Sequence, residues 1–170
     1  MNYDLRTARC EIQDKYAFLR DLREIAGQNN IHIICLNVDL TAGKVHAQSA
    51  VSHAIRSFQE GVTISRTVEM ESLLFAAGSR QCSVASEFGI RVGVNHLYVC
   101  CYPGAGKEVW ESLARLFQFT NESDDVIGDE KRVRLMKIFG ITSQEMEAVG
   151  DRDCIVDLVQ ERIALLNVLR

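Results

Sequence analysis

Little in this chain interrupts a folded domain. Its 170 residues hold one proline, Pro103, with no internal repeat and no low-complexity stretch, so neither a disordered nor a fibrous protein is expected. No apolar run reaches the ~20 residues of a membrane-spanning helix. The opening segment, MNYDLRTARCEI, lacks the long apolar core of a signal peptide, and a cytoplasmic protein is expected. Cys10, Cys35, Cys82, Cys100, Cys101 and Cys154 include no C-x-x-C pair, which removes the usual zinc frameworks. With no export signal, these thiols are expected to be reduced and buried. Cys100 and Cys101 are neighbours in an apolar run and should point to opposite faces of a strand.

Two chemical motifs begin and are not completed. YPGAGKEVW follows a strand and opens a helix, as a phosphate-binding loop does. Its first glycine position holds Cys101, however, and Glu108 follows Lys107 where a magnesium-binding hydroxyl is needed. A carboxylate there would repel phosphate, and the segment reads as a strand-to-helix turn. His46 and His53 lie two turns apart on one helix, about 10 Å along its axis, too far for one metal ion to bridge. His32 and His96 add no ligand spacing, and no nucleophile stands at an interpretable distance from a base. No catalytic residue, metal or cofactor is expected.

What is present has an ordinary globular balance, 47% hydrophobic and 25% charged, sized for one domain over residues 1–170. The net charge of -4 argues against general nucleic-acid binding, but it is uneven. Between Thr41 and Lys107 six basic residues outnumber four acidic ones, leaving +2 there and -6 elsewhere.

The periodicities predict strands at 3–12, 31–38 and 95–102. Helices are predicted at 14–26, closed by Gly27, and at 44–58, 68–77, 106–117 and 129–139. Thr67 should cap the third of these, and Gly78 should end it. TNESDD reads as an acidic loop. Thr142 and Glu145 have capping-box spacing for a short helix ending at Gly150, and Asp151 should cap the last helix. The expected fold is a compact α/β or mixed α+β domain, with helices packed on a small sheet and the C-terminal helix at the surface.

Three features point to binding. In LLFAAGSRQCSVASEFGI, Ser79 should cap a second helix and place Arg80 and Gln81 in its first turn. A cation there opposes the helix dipole, unless an incoming anion is held jointly by the guanidinium and the free N–H groups. On the preceding helix Ala47, Ala50, Val51, Ala54, Ile55 and Phe58 share one face. Ser49, Ser52, His53 and Arg56 form an opposite polar face without an acid. The last helix has one apolar face through Ile155, Leu158, Val159, Ile163, Leu166 and Leu169, widened by Leu165, while Ala164 and Val168 lie on the other side. Such a helix asks for burial on two sides, hence a partner. A helix-turn-helix DNA reader is the alternative for residues 73–90, but its recognition helix would be short and would carry Glu87.

AVSHAIRSF, ISRTVEMESLLFAAGSRQCSVASEFGI, WESL, FGI and the terminal LVQERIALLNVLR together resemble the small regulatory subunit of the KEOPS/EKC complex. This is the PRPK-binding-protein (TPRKB) family, in its archaeal form. The resemblance runs from about Gly43 to the end, with GSRQ and ERIALL its specific parts. Family members more often carry an aliphatic residue at Cys82, which reads as a core swap. The resemblance implies a non-catalytic subunit of the complex that installs threonylcarbamoyl on adenosine beside the anticodon of certain tRNAs. It implies binding to the complex's kinase-like ATPase through the last helix, at Leu158, Arg162, Leu165, Val168 and Leu169. It also implies recruitment of tRNA by its single-stranded CCA end, for which Ser79, Arg80, Gln81, Arg56, His53 and Ser49 are the candidates. A kinase-binding module without an RNA role and a stand-alone enzyme are the other readings.

Overall fold

The computed structural model describes residues 2–122, 126–150 and 154–168. Its centre is a four-stranded antiparallel sheet in the order β2-β3-β1-β4. The strands are β1 (Asp4–Ile12), β2 (His32–Asn37), β3 (Gly93–Tyr102) and β4 (Gln118–Thr120). Both faces of the sheet are covered, which explains the continuous apolar runs in β2 and in the second half of β3. Leu5, Cys100 and Ile34 align across three strands toward one core, while Ala8, Ile33, Leu97 and Cys101 serve the other. The two adjacent cysteines of β3 therefore do lie on opposite faces. The alternation of β1 was weak in the sequence because Leu5 points to one core and Ala8 and Ile12 to the other.

Helix α1 (Lys15–Asn29) and helix α5 (Lys107–Leu113) cover one face, with Leu22, Trp110, Leu113 and Phe117 in the core between. Helices α2 (Gly43–Glu60), α3 (Val68–Ala77), α6 (Asp129–Phe139) and α8 (Cys154–Val168) build the thicker layer on the other face. Two short helices, α4 (Cys82–Ala85) and α7 (Ser143–Val149), complete the α-helices among the described residues. An antiparallel sheet with helices on it is an α+β fold, the mixed class expected.

Local chemistry sets several ends as expected. The Thr67 side chain accepts from Met70 N, and Thr142 and Glu145 form the full capping box. Three expectations need correction. Helix α1 runs past Gly27 to Asn29, and Asn30, at φ 51, takes the left-handed position that ends it. Helix α5 stops at Leu113, and residues 118–120 pair with Thr7–Arg9 as β4, a strand that local pattern does not announce. Not all thiols are buried: Cys82 is exposed and Cys10 and Cys35 are half-buried. Asp151, the expected cap of α8, lies outside the described residues.

Candidate partner and RNA interfaces

Helix α3 ends on Gly78, whose φ of 57 suits a residue without Cβ. Gly78 N donates to Phe75 O at 3.0 Å and Ser79 N to Leu74 O at 3.1 Å. Ser79 does not cap the next helix. Its Oγ accepts from Gln81 N at 3.2 Å, and Gln81 is itself the N-cap of α4, without a side-chain bond. Arg80 and Gln81 therefore stand before the helix and not in its first turn. With four residues, α4 is one turn long, too short for an anion cradle of aligned N–H groups. The run from Arg80 to Val84 is exposed, so Cys82 is a surface residue and not a core swap. QCSVASEF divides into α4 and a 3-10 turn over Ser86–Phe88, so it supplies no continuous recognition helix for a DNA groove.

The turn is placed from beneath by His46, which is fully buried. Ala42 N donates to His46 Nδ1 at 2.9 Å. His46 Nε2 lies 2.9 Å from Ala76 O, and since a carbonyl only accepts, Nε2 carries the proton. The ring is neutral with one tautomer fixed. Burial lowers its pKa to about 4, against the raising effect of the Ala76 bond and with help from the Lys131 charge. Its edge also meets the Phe139 ring, with centroids 5.6 Å apart. One side chain thus joins the start of α2, the end of α3 and the end of α6.

Helix α8 has two unlike sides. Ile155, Leu158, Val159, Ile163 and Leu166 are buried in the chain's own core. Leu158, expected to face a partner, is 6% exposed and belongs to that core. On the outside Leu165 and Val168 are 47% and 76% exposed. Leu169 lies outside the described residues. Arg162 is engaged within the chain. Its Nε donates to Phe139 O at 3.4 Å and its guanidinium pairs with Glu145. The Thr142 N–H and this guanidinium hold the Glu145 carboxyl below its ordinary pKa.

Two contacts bring the turn and the polar residues of α2 against the same helix. A Cβ on Gly78 would stand 3.7 Å from Arg162 O and 3.8 Å from Ile163 Cγ2. Asn167 Nδ2 lies 2.7 Å from His53 Nδ1, and the His53 ring stacks on Phe75 with centroids 5.2 Å apart. Ile163 and Asn167 are four residues apart, about 6 Å along a helix, so the turn and His53 meet α8 roughly one turn from each other. His53 is therefore half-buried between α3 and α8, not on an open polar face. Ser49 and Arg56 continue its ridge at i−4 and i+3; Ser49 is half-buried and Arg56 exposed. Asn167 was absent from the sequence reading, although a carboxamide in an apolar last turn is a signal that something polar lies opposite.

A family model described as kinase binding protein CGI-121 matches residues 10–167. The chain belongs to the CGI-121 family. Comparison with the curated proteins finds no match. The match takes in the end of β1, strands β2 to β4, the Gly78–Gln81 turn and α8 as far as Asn167. The outer strip of α8 leaves Leu165 and Val168 exposed. No described helix is long and apolar enough to cross a membrane.

Proposed function

We propose that this CGI-121 protein is the non-catalytic regulatory subunit of an archaeal-type KEOPS complex, which makes threonylcarbamoyladenosine in tRNA. In this reading residues 1–170 are one regulatory-subunit domain, working in the cytoplasm. The subunit binds the complex's kinase-like ATPase of PRPK type, supports its activity and helps recruit tRNA through the 3′ CCA end. Catalysis belongs to the partner.

The observation that carries the kinase half is membership of a kinase binding family together with the exposed strip of Leu165 and Val168 on α8. Their neighbours Ile163 and Leu166 anchor the helix in the core, so the strip is presented on a fixed support. Leu165→Glu puts a charge into a desolvated contact. Co-purification with the kinase-like partner should fail while the circular dichroism of the free subunit is unchanged. Normal co-purification would move the interface elsewhere.

The RNA half is supported by the exposed Arg80 and Gln81, on a turn whose two ends are held by backbone bonds. A guanidinium can pair with phosphate or stack on a base, and a carboxamide both donates to and accepts from a base edge. Arg56 is an exposed cation on α2 that can join them. Arg80→Ala should weaken binding of intact tRNA by about 1–3 kcal/mol and have little effect on tRNA trimmed of its CCA end. Equal weakening of both tRNAs, or a large drop in melting temperature, would make the turn a structural clamp. A kinase-binding module without an RNA role would then remain.

A further inference from the structure

Among the described residues, strand β2 is paired on one side only, by β3. In an antiparallel pair, alternate residues turn both N–H and C=O away from the neighbour. Among the described residues, none makes a hydrogen bond to that outer edge of residues 32–37. The strand, HIICLN, also carries no lysine or proline of the kind that blunts an edge. Beside the edge runs a groove of about 330 Å3. Leu19, Leu22 and Arg23 of α1 form one wall, Glu69 and Leu73 of α3 the other, and Ile33 and Cys35 of β2 the floor.

The lining is mainly apolar, and its two charged groups differ. Glu69 is held by His32, Oε1 to Nδ1, at 2.9 Å. Arg23 is exposed at the rim and has no ion-pair or hydrogen-bond partner among the described residues. The unmet requirements are therefore a row of backbone groups, an apolar trough and one positive charge. A nucleic-acid strand would want more cations and a stacking surface. A small apolar molecule would leave the backbone row unused. An extended peptide meets all three, because its main chain pairs with the edge while alternate side chains enter the trough.

We propose that the β2 edge and its groove receive an extended segment of a partner protein, which adds as a strand beside β2, fills the trough with alternate apolar side chains and sets an acidic side chain against Arg23. The site lies on α1, β2 and the first part of α3, and it does not depend on the kinase reading of α8.

The test uses the full chain and a fluorescein-labelled peptide of sequence TVTVTD, followed by anisotropy. Saturable binding is expected. Arg23→Glu, a surface change that should preserve the circular dichroism, should weaken it about tenfold or more. The peptide TVTVTK should bind this variant better than TVTVTD does. N-methylation of one of the two alternate sets of peptide amides should abolish binding, since only one set faces β2. Leu165→Glu should leave it unchanged. No binding at millimolar peptide would overturn the proposal, as would indifference to the Arg23 change. Equal binding after methylation of either set would show a groove that takes apolar matter without strand pairing. Self-association of the protein in competition with the peptide would assign the edge to a second copy of this chain.

Discussion

His46 and His53 sit two turns apart on α2 and are used in opposite ways. His46 is sealed in the core, with one ring nitrogen bonded to the backbone at the start of its own helix and the other to the backbone of α3. His53 lies half-exposed, stacked on Phe75 and bonded to one side chain near the end of α8. The first joins three elements that together fix where the Gly78 turn stands. The second fastens one helix end. A histidine on an amphipathic helix is thus not informative by its type. What decides its task is whether the groups it meets can reach water when it is removed.

The sharpest way to break the comparison is His46→Ala. It leaves the Ala42 N–H and the Ala76 carbonyl buried without partners and opens a cavity, at a cost of about 3–4 kcal/mol. Urea unfolding monitored by circular dichroism should report this as a lower midpoint with an unchanged slope.

Acid should reach the same residue. The His46 pKa in the folded protein, about 4, lies below its ordinary value of 6.5, so between those values the unfolded chain binds the extra proton. Its contribution is fully present above pH 6.5 and is lost as pH falls toward 4, at up to about 1.4 kcal/mol per pH unit. Unfolding midpoints compared at pH 7 and pH 5 should show a decline that His46→Leu removes. A His46→Leu protein with the same decline would assign it to other groups.

The smallest effect is expected at the other histidine. His53→Ala removes the bond to Asn167, which water can replace, and should cost about 1 kcal/mol. Its trace should be local: faster amide exchange in the last turn of α8, with the β3 amides unaffected. A loss as large as that at His46 would erase the distinction between brace and fastener.

The sequence made legible what is decided within a few residues. Thr67, Gly78 and the Thr142–Glu145 box each act on their own neighbours, and each stands where local chemistry placed it. The opposite faces of Cys100 and Cys101 follow from strand geometry alone. What remained illegible depends on partners distant in the chain. Strand β4 exists because residues 7–9 are available to pair with it. Ser79 had two backbone options, capping forward or bonding Gln81 N, and the side chain alone did not choose between them. Leu158 shares the apolar face of Ile155 and Val159, and it lies in the chain's own core and not, as the resemblance implies, against a partner. The site residues divide the same way: Arg80, Gln81 and Arg56 are exposed as a turn and a polar helix face require, whereas His53 and Arg162 are drawn inward by Asn167 and Glu145.

The order of the elements along the chain has a consequence for synthesis. The core on the α1 and α5 side is built from residues between Ala8 and Phe117. The core on the opposite side also needs Ile155, Val159, Ile163 and Leu166 of α8, which are made later than Phe117. One face of the sheet can close while translation continues, and the other waits with Leu36, Leu74 and Phe75 uncovered until α8 emerges. A ribosome halted before residue 155 therefore holds a half-closed protein, whose bare layer is the kind of surface that chaperones recognise. Helix α8 is thus a lid on its own chain, and its arrival closes the second core.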